Sequence, residues 1–145
     1  MPEQVFLSWE RIPSTRMASM DAELEVALTP VLADLIHATS LTPEFRDIDW
    51  PIPDTAATML FLADAGGAGV SITSGADRTD QVVSLADQVQ DWAVEALWAA
   101  RRSPVWPECP DHPDSHPLRA IKQNGLAIWV CPVSLSEICQ IGSLA

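Results

Sequence analysis

The stretch from Trp106 to Cys131 reads W-P-E-C-P-D-H-P-D-S-H-P-L-R-A-I-K-Q-N-G-L-A-I-W-V-C, and Pro132 follows it. Asn124-Gly125 is the favoured two-residue turn of a β-hairpin, because both positions need positive φ. With that pair as the turn, Gln123 faces Leu126, Ile121 faces Ile128 and Leu118 faces Cys131. The hairpin then spans 118–131. His116 sits two residues beyond its open end, close to Cys131 despite the 14 residues between them in the chain.

That register gathers four donors. Cys109 and His112 have the two-residue spacing with which one knuckle supplies two ligands. With His116 and Cys131 they make a set of thiolates and imidazoles of the kind zinc prefers. Pro110, Pro113, Pro117 and Pro132 stiffen the segment and lower the entropy of its unfolded state. The order C-x2-H-x3-H-x14-C differs from the DNA-reading finger, where both cysteines precede a helix carrying both histidines. Four protein ligands close the site and make it structural. Three ligands and a water would open it to hydrolysis. Cys139 is the alternative to His116, although Ile138 and Ile141 beside it suggest an inward face where a cysteine packs as a small hydrophobe.

Catalytic companions are missing. The chain has no H-E-x-x-H, and no H-x-E with P-C-x-x-C. A thiol–imidazole nucleophile built from Cys109 and His112 or His116 lacks an orienting third residue and an oxyanion donor. No catalytic residue is assigned.

The segment W-P-E-C-P-D-H-P-D-S-H-P-L, with A-I-W-V-C-P and the I-C-Q-I-G-S-L ending, resembles a group of small uncharacterised actinobacterial proteins. They share a helix rich in V-x-x-W, a W-P-x-C-P-x-H-P-x-x-H-P-L segment and a W-x-C-P strand. The resemblance covers residues 82–145, extends to the hairpin at 58–74, and leaves 1–57 outside. It implies that Cys109, His112, His116 and Cys131 recur as a unit, and it implies no activity.

Outward from this segment, S-L-S-E-I-C-Q-I predicts a short terminal helix over 134–141. Ser134 and Glu137 form a capping box and Gly142 ends the helix. On the other side, 80–101 predicts an amphipathic helix capped by Thr79 or Asp80. Val82, Leu85, Ala86, Val89, Trp92, Ala93, Ala96, Leu97 and Ala100 share its apolar face, and Pro104 prevents continuation. Asp87 and Asp91 lie on its polar face and read as solvation.

Residues 58–74 predict a second hairpin: T-M-L-F-L-A-D as a central strand covered on both faces, a turn made by the glycines at 66, 67 and 69, then V-S-I-T-S. A phosphate loop would need a helix where V-S-I-T-S stands. E-F-R-D-I-D-W (44–50) falls in a proline-containing loop over 40–57, and its acidic residues read as solvated. Residues 20–38 predict a helix with Ser19 as N-cap. Pro30 either kinks it or opens a second helix capped by Thr29. His37 reads as a residue of its last turn. Residues 4–9 predict a strand and 10–18 a connection.

The whole chain is 145 residues and 48% hydrophobic, enough for one domain with a real core. The expected fold is α+β: two main helices on a small, mostly antiparallel sheet, with a zinc-ribbon-like hairpin and a short terminal helix at the C-terminus. Residues 1–104 form an acidic body and 105–145 the metal-binding subdomain. Trp92 and Trp129 are expected in the core, and Trp106 as an exposed anchor beside the knuckle.

The net charge is −12, and residues 101–145 carry four acidic and four basic side chains, so the whole imbalance lies in residues 1–100. An acidic body repels phosphate backbones. A nucleic-acid ribbon would need Arg101, Arg102, Arg119 and Lys122 on one face. No apolar run spans a membrane and no signal peptide is legible, and three cysteines cannot all pair within one chain, so a cytoplasmic protein with reduced thiols is expected. Two readings follow. One is a non-enzymatic protein-interaction or accessory module stapled by structural zinc. The other is a small metal-dependent hydrolase or nucleic-acid-associated ribbon with an open coordination position.

Overall fold

The computed structural model describes residues 20–48, 52–62 and 66–144. The strand expected at 4–9, the connection at 10–18 and the Ser19 cap lie outside the described residues.

Helix α1 spans Ala22–Thr39. Asp21 caps it, its carboxylate accepting from the N–H groups of Glu23 (2.9 Å) and Leu24 (3.1 Å). The helix runs unbroken through Pro30, so no second helix begins there. Thr29 does not cap: its hydroxyl donates back to the Glu25 carbonyl at 2.8 Å. Pro30 leaves the Val26 carbonyl without its helical donor, and Val26 lies on an exposed face, so the lost bond is not one of the buried interior. Three strands follow: β1 (Glu44–Arg46), β2 (Thr55–Leu62) and β3 (Gly66–Thr73). Helix α2 (Arg78–Ala99) comes next, capped by Asp77 rather than by Thr79 or Asp80; the Asp77 carboxylate accepts from the Asp80 N–H. The chain ends with β4 (Arg119–Gln123), β5 (Leu126–Val130) and β6 (Glu137–Gln140).

The fold is α+β, but it carries two antiparallel three-stranded sheets instead of one, ordered β1-β2-β3 and β4-β5-β6. The 40–57 stretch is not all loop, since Phe45 pairs with Leu60. Strand β2 is central as expected, yet only one of its faces is fully covered. Ala56, Thr58 and Leu60 are buried and alternate with half-buried neighbours.

The glycines do not form the turn. Gly66, Gly67 and Gly69 lie in β3, opposite Leu62, Phe61 and Met59. A Cβ on Gly67 would come within 2.9 Å of the Met59 sulfur and 3.1 Å of the Leu60 carbonyl, so the strand accepts only glycine there without local shift.

Helix α2 organises the molecule, packing against α1, β3, β4 and β5. The two helices run in the same direction. Gln81 near the start of α2 donates to Glu23 near the start of α1 (2.8 Å), and Arg102 beyond the end of α2 donates to the Thr39 carbonyl (2.6 Å).

The second hairpin has the register read from Asn124-Gly125, with Gln123 opposite Leu126 and Ile121 opposite Ile128. Both turn residues have positive φ, 53° and 77°. The terminal helix is absent, and 137–140 is strand β6 on the outer edge of β5. After Cys131 the chain reverses too tightly for a helix: Leu135 takes φ 65° and its N–H donates to the Cys131 carbonyl (2.8 Å). Cys131 N–H in turn donates to the Ser136 carbonyl (2.9 Å). The strand that follows supplies partners to β5, whose edge would otherwise stay open.

One buried carboxylate joins the layers. Asp34, on α1, accepts from the Trp129 indole (2.8 Å), the Gly142 N–H (2.7 Å) and the Leu144 N–H (3.0 Å). Burial pushes its carboxyl above the usual carboxylate range, and these donors only partly offset that. Trp92 and Trp129 are in the core as expected. Trp106 is not an exposed anchor: it is 1% exposed and meets Trp129 edge-on, with ring centroids 5.6 Å apart.

Candidate metal centre

The loop from Glu108 to Pro117 projects from the base of the second sheet. A bridge between Glu108 and Pro117 closes it, and the Leu118 N–H donates to the Pro107 carbonyl at 2.7 Å. Helix α2 grips both sides of this base. The Gln90 amide donates to the Trp106 carbonyl (3.0 Å) and the Leu118 carbonyl (2.8 Å). Inside the loop, His112 N–H donates to the Cys109 carbonyl (3.1 Å) and Asp114 N–H to the Glu108 carboxylate (2.7 Å). The C-x2-H knuckle is therefore held from within and from below.

This scaffold brings Cys109, His112, His116 and Cys131 together, with one donor atom from each and all four within 4.8 Å of one another. A metal ion fits between them. His112 Nδ1 lies 3.2 Å from His116 Nε2, 3.5 Å from Cys109 Sγ and 3.6 Å from Cys131 Sγ. Cys131 Sγ lies 3.9 Å from His116 Nε2. Around a tetrahedral zinc with ordinary bond lengths, the edges come to about 3.3 Å for N to N and about 3.5 Å for N to S. Hydrogen bonding alone does not account for the cluster. His112 Nδ1 has a single proton or a single lone pair, and it faces three donors at once.

The surroundings favour the ligand forms. His116 Nδ1 lies 3.1 Å from the Pro117 carbonyl. A carbonyl only accepts, so Nδ1 carries the proton and Nε2 turns its lone pair to the centre. At Cys131, the Ser134 side chain and backbone N–H pull the thiol down to about 6; that N–H donates to the sulfur at 3.4 Å. Both cysteines are buried and both histidines half-buried.

Cys139 stands apart from the four. It sits in β6 opposite Trp129, and burial and the nearby Asp34 push its thiol up, away from the thiolate a metal needs. It lines an open groove of about 630 Å³ with His37, which occupies the last turn of α1 as expected, and with Cys109.

Among the described residues, no other group of three or more metal-ligating side chains converges, and Asp87 and Asp91 are exposed on α2. Arg119 and Lys122, three apart on β4, project from opposite faces of the strand. Lys122 is engaged by Asp77 (3.4 Å) and Asp80 (3.2 Å).

Sequence reasoning missed Gln90, Asp34 and Ser134. Gln90 and Asp34 had one legible signal, a polar side chain beside the apolar stripe of its helix. Compared with known proteins, the chain matches no family model, and no curated protein and no solved structure is significantly similar to it.

Proposed function

We propose that Cys109, His112, His116 and Cys131 hold one zinc ion in a closed, structural site, and that the protein is a non-enzymatic binding or accessory module. The observation that carries the reading is the convergence of four donor atoms within 4.8 Å of one another, with four of their separations, 3.2 to 3.9 Å, close to the edges of a zinc tetrahedron. Four protein donors leave no position for a reacting water, so the hydrolytic alternative loses its footing. The metal would tie the knuckle to the end of β5 and so stabilise the second sheet, in the way that small zinc modules draw folding energy from the ion.

The thiolate-rich centre suits a reducing compartment, and a cytoplasmic location goes with it. No helix among the described residues is long and apolar enough to cross a membrane. A protein partner fits the acidic body better than nucleic acid does. The basic residues that a nucleic-acid face would need are dispersed: Arg102 is bound to Thr39, Lys122 sits between two aspartates, and Arg119 points away from Lys122.

Elemental analysis of reduced, untagged protein tests the reading. The expected result is about one zinc per chain, lost in Cys109→Ser together with thermal stability. Wild type that takes up no zinc when supplied with it would refute the site.

A further inference from the structure

Strand β3 is an edge of the first sheet, and α2 covers only half of it. The Ser71 N–H donates to the Gln88 side-chain oxygen and the Gln88 amide donates to the Ser71 carbonyl, both at 2.9 Å. Gln88 thus imitates a neighbouring strand. One helical heptad earlier, the Gln81 amide donates to the Thr73 carbonyl at 2.9 Å. These bonds fix the parity of the edge: residues 71 and 73 direct their backbone groups away from β2. By the two-residue period, with register unbroken through Gly66, so do 69 and 67.

The glutamine ladder stops there. One heptad beyond Gln88 stands Glu95, whose carboxylate accepts and has no donor to offer a carbonyl. Among the described residues, no strand or side chain pairs with the outward groups of Gly67 and Gly69. A groove of about 450 Å³ opens at this place, lined by Gly67, Gly69, Asp91, Trp92 and Glu95. Neither carboxylate meets a basic side chain among the described residues. Trp92, 4% exposed, lines the groove, and its Nε1–H has no partner among the described residues.

We infer that this open edge binds an extended peptide segment by strand addition, with a lysine or arginine side chain of that segment entering between Asp91, Glu95 and the carbonyls of the glycine edge. Backbone pairing accounts for the extended form, because free N–H and C=O groups on an edge are a template for another strand. The charge follows from the lining: two carboxylates and two carbonyls are acceptors only, and a multi-donor cation satisfies them. A neutral or acidic strand, including the edge of a second copy, would set like charges or unpaired acceptors against this face. The surface deepens the binding-module reading and rests on it, but it does not depend on the metal centre, which lies in the other sheet.

The test is an amide-resolved NMR titration of the full chain with a blocked heptapeptide alternating threonine and lysine. The controls are the same peptide with glutamate for lysine, and one with proline at its centre. Zinc content is measured on the same sample.

The lysine peptide is expected to shift the Gly67 and Gly69 amides and to bind about tenfold more tightly than the glutamate peptide. Asp91→Asn combined with Glu95→Gln is expected to weaken it about fivefold at low salt, and added salt to narrow that gap. Gly69→Pro, which removes an outward N–H and leaves the pairing with β2, is expected to abolish it. Equal binding of the two charged peptides, unmoved Gly67 and Gly69 amides, or normal binding by Gly69→Pro would each overturn the proposal. So would a dimer that forms through these glycines and vanishes in Gly69→Pro. Zinc-replete protein that ignores the peptide sinks the edge alone, and protein that binds the peptide but takes up no zinc when supplied with it sinks the metal centre alone.

Discussion

Replacing Gln90 with methionine isolates the grip of α2 on the metal loop. Methionine nearly conserves the volume and removes both amide donors. The partners left behind are the carbonyls of Trp106 and Leu118, residues that are each 1% exposed, so water does not readily replace the lost bonds. Each buried carbonyl left without a donor costs about 1–3 kcal/mol, and two neighbouring losses are less than additive, which gives about 2–4 kcal/mol. For a chain of this size that is a fall in melting temperature of roughly 5–15 °C.

The loss concentrates at the base of the knuckle, so the closed loop becomes a smaller fraction of the metal-free ensemble. Apparent zinc affinity should fall about tenfold as a result. Urea unfolding of the zinc-loaded and zinc-free forms measures the first quantity, and competition with a chromophoric chelator measures the second. A stability loss under about 0.5 kcal/mol, or unchanged zinc affinity, would refute the claim that Gln90 holds the loop.

Three further outcomes are expected. Asp34→Asn turns an amide donor toward at least one of the three N–H groups that Asp34 accepts, at a cost of about 1–3 kcal/mol in urea unfolding. Because the folded-state pKa of Asp34 is raised, its contribution is fullest below the usual carboxylate range and declines as pH rises through the raised value. The stability gap between wild type and Asp34→Asn should therefore narrow upward from about pH 4.

Gly142→Ala places a Cβ within 2.9 Å of the Pro30 Cβ at a φ of 106°, and should cost about 1–3 kcal/mol by thermal unfolding. In metal-free protein, thiolate absorbance should show one cysteine, Cys131, titrating at about 6, with Ser134→Ala moving it upward. The depressed value stabilises the metal-free fold above the ordinary thiol range, and that contribution disappears as pH falls through about 6.

What the sequence made legible, and what it hid, follows from how local each determinant is. Asn124-Gly125 carries its own geometry, so the register and the meeting of His116 with Cys131 could be read without knowing the rest. The ending S-L-S-E-I-C-Q-I satisfies a capping box equally well on paper. Its strand form is dictated by the reversal after Cys131 and by the open edge of β5, neither of which is local. The glycines near 66 look like a turn because glycine usually marks one. Gly67 is instead required by the approach of Met59 within the strand, a tertiary fact. Trp106 reads as an exposed anchor because it stands beside the knuckle, and only the edge-on contact with Trp129 shows why it is buried. Pro30 reads as a breaker, yet the helix passes through it with an exposed residue at the lost bond and Gly142 packed against its ring.

The measurement that bears most directly on the account is X-ray absorption at the zinc edge on the zinc-loaded full chain. The account predicts two nitrogens at about 2.0 Å and two sulfurs at about 2.3 Å with no oxygen in the shell. A shell with one sulfur, a coordinated oxygen, or a protein that takes up no zinc at all would contradict it.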